Sequence, residues 1–258
     1  MNWWPRFSWR AAGRVWQRNA TVYQRTWKLN ILPNFFEPFL YLLGMGFGLG
    51  AYVSDMGGVT YIDFIAPGLL ATSIMWGATL ETTYNVFVKM NYDRIYDGIL
   101  TTPINPTDLA LGELLWGATR GTIYGAAFFT ILLAFGMGHY WSVLLVIPLL
   151  YLVGFLFATV GLLFTSVIRE IELFNYFFTL FLTPLFLFSG IFFPMAELPV
   201  LVQTIAWFTP LYHAVEISRG LILNSLNSGH WINLLWIVVV LLFNTILAMV
   251  LIRRRLYN

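Results

Sequence analysis

Runs of about twenty apolar residues recur along this chain, and nothing else in it constrains the fold as much. About that length is needed to cross a bilayer. Inside hydrocarbon every backbone N–H and C=O must find a partner within the protein, which leaves helices or closed barrels. The runs fall roughly at 31–53, 61–88, 108–135, 141–168, 173–193 and 231–252. They are too long for barrel strands, so they read as six transmembrane helices. Only 10% of the 258 residues are charged and 59% are hydrophobic, against about 25% charged in a soluble domain. The expected fold is an all-α, polytopic membrane protein forming one domain over residues 1–258.

Charge at the two ends sets the direction. Residues 1–30 carry Arg6, Arg10, Arg14, Arg18, Arg25 and Lys28 with no acid, and Trp3, Trp4, Phe7, Trp9, Val15 and Trp16 lie among them. Cations interleaved with Trp suit an amphipathic helix lying at the membrane interface. They also suit a basic flank to the first span. Either way this end is cytosolic, as is the end marked by Arg253, Arg254 and Arg255. Two cytosolic ends require an even number of spans. The start lacks the short apolar core and small-residue cleavage site of a signal peptide, and none is expected.

With that parity, 194–230 begins and ends on the outer side. Pro194, Pro199 and Pro210 interrupt it, and a helix rarely runs straight through Pro. It is too broken for a span and too apolar for a loop. It reads as a re-entrant segment between the fifth and sixth spans. His213, Glu216 and Arg219 are spaced to share one helical face. Irregular backbone at membrane depth survives only in protein or against a wet cavity, which places this segment near a translocation path.

Charges within spans are costly and mark function by default. Glu81, Glu113 and Arg120 are the three. Glu113 and Arg120 can share a helix face, and the two glutamates lie at similar depth in neighbouring spans. Two readings stand: a structural ion pair, or a polar lining of the cytosolic end of the path. Glycines at 44, 46, 48 and 50 and at 117, 121 and 125 mark close helix approach. Aromatic residues near predicted outer ends, Tyr52, Tyr61, Tyr140, Trp141, Trp207 and Trp231, read as an interfacial belt. Rings facing a channel would instead stack on sugars.

The inner loop 89–107 holds Tyr92, Ile95, Tyr96, Ile99 and Leu100 at helical spacing, rimmed by Asp93, Arg94 and Asp97. Such a short amphipathic helix needs a surface to cover it. The acids fit an anionic leaflet poorly, so a docked partner is favoured over the membrane.

Several chemistries are excluded. The lysines are Lys28 and Lys89, and neither follows a glycine-rich phosphate loop. The three histidines, His139, His213 and His230, are scattered, and there is no cysteine, so neither a metal site nor a disulfide is expected. The basic residues form no patch for nucleic acid. Two rivals to an ATP-driven transporter remain: a proton-coupled transporter using Glu81 or Glu113, and a membrane enzyme using those residues with His213.

The sequence Gly190-Ile-Phe-Phe-Pro194, then Leu198-Pro199, Ala206-Trp-Phe-Thr-Pro-Leu-Tyr-His213 and Arg219-Gly220, resembles the signature of type-2 ABC exporter permeases. Phe64-Ile-Ala-Pro-Gly68, Leu80-Glu-Thr-Thr-Tyr84 and Leu111-Gly-Glu-Leu114 are similar to the branch that exports nodulation factors, lipo-oligosaccharides related in handling to capsule and O-antigen polysaccharides. The likeness covers essentially the whole chain. Tyr212 departs from the small or polar residue common before the His.

The resemblance implies a permease with no catalytic site of its own, paired with a second copy as a homodimer. Two separate ABC ATPase subunits would bind ATP and Mg. It implies a bacterial inner membrane location and an amphiphilic cargo: a lipo-oligosaccharide, a lipid-linked glycan or a hydrophobic drug. Residues 89–107 would hold the coupling helix, with Tyr92, Asp93, Arg94, Tyr96 and Asp97 toward the ATPase. Residues 194–220 would cap the outer exit.

Overall fold

The computed structural model describes residues 8–53, 56, 58–138 and 141–257, and among these there are helices and turns but no strand. Trp3, Trp4, Arg6, Phe7, Asp55, His139 and Tyr140 lie outside the described residues, as do the side chains of Lys28 and Glu37. The helices in order are α1 (Trp9–Tyr41), α2 (Tyr61–Leu80), α3 (Ile95–Leu100), α4 (Pro106–Ala134), α5 (Val146–Val167), α6 (Leu173–Tyr176), α7 (Thr183–Phe188), α8 (Val200–Trp207), α9 (Pro210–Ile222) and α10 (Ser228–Tyr257). Among the described residues three stretches are long and apolar enough to cross a membrane: Tyr61–Tyr92, Val146–Val167 and Ser228–Leu256. Shorter apolar helices cover Pro38–Ala51 and Leu173–Phe188. α4 is 29 residues long, and Asp108, Glu113 and Arg120 dilute its apolar character.

α2, α4 and α5 pack against one another at the centre, and α9 and α10 close the far side. The centre is tight because small residues line it. A Cβ on Gly121 would stand 2.9 Å from the Ile74 carbonyl oxygen, and one on Gly154 2.8 Å from that of Ala118. Only glycine lets these backbones approach so closely. Thr165 of α5 donates to the Thr82 carbonyl at 2.8 Å, and Arg255 at the end of α10 donates to the Thr165 carbonyl. These bonds tie three helix ends together.

The glycines of the first run behave differently. Added Cβ atoms at Gly44 and Gly48 would meet nothing within 4 Å, while one on Gly46 would press on Ile62 and one on Gly50 would touch Tyr61 at 3.8 Å. That stretch is wound as a wide π turn, Leu42–Gly48. The expectation of a packed glycine ridge therefore holds on α4, where Gly117, Gly121 and Gly125 meet α2 and α5, and is corrected for Gly44 and Gly48.

Helix α1 runs without a break across residue 30, where the sequence suggested a boundary. Its start is fixed by one carboxylate. The Ser8 N–H donates to Asp108 Oδ1 at 2.6 Å, while the Asn105 N–H donates to Asp108 Oδ2 at 3.2 Å. Asp108 thus sits at the N-termini of α1 and α4 together, where helix dipoles favour negative charge. From there α1 lies lengthwise on α4: Val15 against Gly112, and Trp16 Nε1 donating to Thr119 Oγ1 at 2.9 Å. Much of the apolar face read as lipid-directed is covered by α4 instead. Trp9 remains exposed.

Candidate functional site

Past Leu80 the α2 helix widens into two π turns, Glu81–Asn85 and Val88–Tyr92. Such turns concentrate at functional positions. Here they carry Glu81 and Lys89, which meet charged residues of α4, and the exposed Asn85, which bonds back to Glu81. Lys89 is the hub: its Nζ lies 2.7 Å from Glu113 Oε2 and 3.5 Å from Glu81 Oε1. Arg120 Nε lies 3.3 Å from Glu81 Oε2, and Asn85 donates to the same oxygen at 2.7 Å. Arg120 also donates to the Tyr124 hydroxyl at 2.7 Å and lies over the Tyr23 ring, 4.2 Å from its centre.

Two buried carboxylates thus meet a buried cation, Arg120, and a half-buried one, Lys89. Charges removed from water persist only when paired and hydrogen-bonded. Glu81, Glu113 and Arg120 are brought together as the sequence suggested, but with a different pairing. Arg120 pairs with Glu81 on the neighbouring helix, not with Glu113 on its own. The residue that joins them, Lys89, was read as part of the loop. Its position eight residues after Glu81, about two helical turns, was the available signal. Tyr23, over whose ring Arg120 lies, was missed as a partner because α1 was expected to lie at the membrane interface.

The turn after Lys89 reverses through Arg94, whose φ is 50°, and enters α3. Tyr96 points inward and is 1% exposed. Its hydroxyl stands beside Glu113, short of a well-formed hydrogen bond. Burial first, then the Glu113 and Glu81 charges, holds this phenol well above its ordinary pKa, against a lesser opposing pull from Arg18. Tyr92 points outward and is 63% exposed, and Asp93, Arg94 and Asp97 are exposed beside it. The five loop residues therefore divide. Tyr96 belongs to this chain's own interior, and the other four face outward.

The far end of the bundle holds the proline-punctuated segment. α7 ends at Ser189, and Gly190 turns the chain with φ 75°, a conformation that disfavours any side chain. The break thus comes four residues before Pro194. Ile191 and Phe192 are buried, Ile191 against Gly68 of α2. Arg219 fastens this turn. It donates to the Gly190 carbonyl at 2.7 Å, pairs with Glu216 at 2.7 Å and lies over the Phe64 ring at 4.1 Å. His213 turns elsewhere despite the shared spacing. Its Nε2 is 2.6 Å from the Trp207 carbonyl oxygen, so Nε2 carries the proton and donates. Nδ1 is 2.9 Å from the Asn233 carboxamide, and the ring stacks on Trp236. Pro199 and Pro210 start α8 and α9, where a missing N–H costs nothing. The stretch between them is α8.

The pattern that defines ABC-2 type transporters matches residues 11–223, which takes in both the charged cluster and the Arg219 turn. The chain belongs to the ABC-2 type transporter family. It is 36% identical over 209 residues to Nodulation protein J of Rhizobium leguminosarum bv. trifolii, covering 81% of this chain and 80% of that one. It is 34% identical over 244 residues to Nodulation protein J of Sinorhizobium fredii, covering 95% and 93%. It is 26% identical over 211 residues to Inner membrane transport permease YadH of Escherichia coli, covering 81% of each. As an ABC-2 permease it is the membrane subunit of an exporter and not itself an enzyme, and ATP hydrolysis belongs to a separate subunit.

Proposed function

We propose that this ABC-2 permease exports an amphiphilic molecule, of the lipo-oligosaccharide or lipid-linked glycan class, across a bacterial inner membrane. It acts as a homodimer with two ATPase subunits that bind ATP and Mg. Six spans carry it, with both termini cytosolic and residues 194–230 re-entrant on the outer side. Relatives named for nodulation favour the glycolipid end of that range over drugs. A line of half-buried rings supports it too: Trp76, Phe178 and Tyr84 stack nearly parallel, at 5.6 and 5.5 Å. Flat ring faces suit both acyl chains and the apolar faces of sugars.

The observation that carries the coupling mechanism is the divided loop. Tyr92, Asp93, Arg94 and Asp97 form an exposed rim, while Tyr96 is rooted beside Glu113. Push on the rim, and the force passes through Tyr96 and Lys89 to α2 and α4. Glu81, Glu113 and Arg120 serve as a polar wall at the cytosolic end, held in one shape by Lys89. Pro194, Pro199 and Pro210 shape the outer cap, with Glu216 and Arg219 pinning it and His213 joining it to α10.

The test is coassembly. Tyr92→Ala and Asp97→Lys leave the permease folded but lower recovery of the ATPase subunit and cargo-stimulated ATP hydrolysis. Full coassembly and full turnover in both variants would remove the loop from the coupling mechanism. Export that survives ATP depletion and stops with the proton gradient would overturn the ATP-driven reading.

A further inference from the structure

Between α1 and the inner ends of α2 and α4 lies a cavity of about 310 Å³, walled by Asn19, Tyr23, Glu81, Asn85, Lys89, Trp116 and Arg120 among others. Three hydrogen-bond donors on its wall have neither a hydrogen bond nor an ion-pair contact: Asn19 Nδ2, the Tyr23 hydroxyl and Arg120 Nη1. Asn19 is 4% exposed and Arg120 5%. A buried donor left unpaired costs roughly 1–3 kcal/mol, and more when charged. Three converging on one cavity mark a place where something that accepts hydrogen bonds belongs.

On the wall, the Glu81 and Asn19 oxygens are already engaged. Glu81 takes Asn85 and Arg120 on one oxygen and faces Lys89 with the other. Asn19 Oδ1 accepts from Arg18 at 3.0 Å. The charges are placed unevenly as well. Lys89 and Arg120 match Glu113 and Glu81, which leaves Arg18 on the wall balanced only by Asp93, exposed at the mouth. Unused donors, one of them a guanidinium, with the Arg18 cation on the same wall select an oxyanion rich in acceptor oxygens.

We propose that this cavity binds a phosphate-type oxyanion, held by Asn19, Tyr23 and Arg120, with Arg18 supplying charge. The group comes from one of two sources, the headgroup of an anionic phospholipid or a free phosphate. The inference stands on the cavity's donors alone, so a purified chain tests it without ATPase, cargo or transport.

Thermal unfolding of the full chain in a neutral detergent is followed while three probes are titrated: phosphatidylglycerol, diacylglycerol with the same acyl chains, and inorganic phosphate at constant ionic strength. Stabilisation by phosphatidylglycerol alone identifies the lipid source, and stabilisation by inorganic phosphate the free one. Two variants spare the fold. Tyr23→Phe deletes a hydroxyl that has no partner, and Asn19→Asp keeps the oxygen that Arg18 uses while replacing the idle donor with an anion. Both are at least as stable as wild type without probe. Tyr23→Phe binds the effective probe several-fold more weakly, and Asn19→Asp at least about tenfold more weakly, the worth of one charge-assisted hydrogen bond. The proposal falls if no phosphate-bearing probe stabilises the wild type beyond diacylglycerol. It falls equally if both variants respond as the wild type does, since the cavity then holds only water.

Discussion

At the scale of single residues, Lys89 carries more than its place in the sequence suggests. Among the described residues it is the one cation in contact with both buried glutamates. Lys89→Met removes it without adding a polar group, leaving Glu113 without a cation and Glu81 with Arg120 alone. Stranding one member of a buried pair costs about 3–5 kcal/mol, so this variant shows a large fall in unfolding midpoint and in yield. The triple change Lys89→Met, Glu113→Gln and Glu81→Gln strands Arg120 instead and does not restore stability. His213 makes a separate prediction, in pH. Burial holds its pKa below the usual value, against the opposing pull of Asn233, the Trp207 carbonyl and Glu216. The unfolded ring protonates near pH 6.5 while the folded one resists. The contribution to stability is therefore complete above about pH 6.5 and is lost as pH falls from there through the folded pKa. His213→Asn flattens that acid limb of the unfolding midpoint against pH, while the wild type keeps it.

At the scale of elements, the same residue type carries opposite consequences on two helices. Gly121→Val drives a side chain into the Ile74 carbonyl, so α2 and α4 must separate and the folded yield collapses. Gly44→Val meets open space and leaves the monomer's unfolding midpoint nearly unchanged. The glycine spacing alone does not separate these cases, because spacing marks a face and not what lies against it. Much else at this scale was legible. The apolar runs located α2, α5 and α10, and the prolines located the starts of α8 and α9. The pairing of the charges was not legible, since Arg120 has equally good spacing to Glu113 and only the packing of α2 on α4 brings Glu81 nearer. Nor was the inward turn of Tyr96. A stripe of apolar residues at helical spacing needs a cover, and the sequence does not say whether that cover is a partner or the chain itself. Arg219 was singled out for its spacing to Glu216. Its larger contact, with the Gly190 carbonyl, spans twenty-nine residues and leaves no local trace.

At the scale of the whole molecule, the distribution of apolar surface argues for how the chain sits. The most apolar window of α2 is 83% buried within the protein and that of α10 only 22%. Trp231, Leu235, Val239, Leu242, Phe243 and Ile246 form an exposed stripe along α10, a surface suited to lipid and not to water. The twenty residues of α2, Tyr61–Leu80, rise about 30 Å, the thickness of the hydrocarbon core. With Tyr61 at one boundary, Glu81 falls at the other, so the charged cluster and the exposed Tyr92–Asp97 rim lie at or beyond one membrane face. The turn between α9 and α10 lies on the opposite face, because Arg219 of α9 reaches the Phe64 carbonyl near the start of α2. The chain has no cysteine, so single cysteines report sides without background. Ser225 and Asp97 are both exposed, and neither change disturbs the buried cluster. In intact cells, Ser225→Cys reacts with a membrane-impermeant maleimide, and Asp97→Cys reacts only after the membrane is opened. Labelling of both from outside would place the two turns on one face and break the link between α2 and its span. The reverse pattern would put the basic ends outside and overturn the orientation on which the coupling mechanism depends.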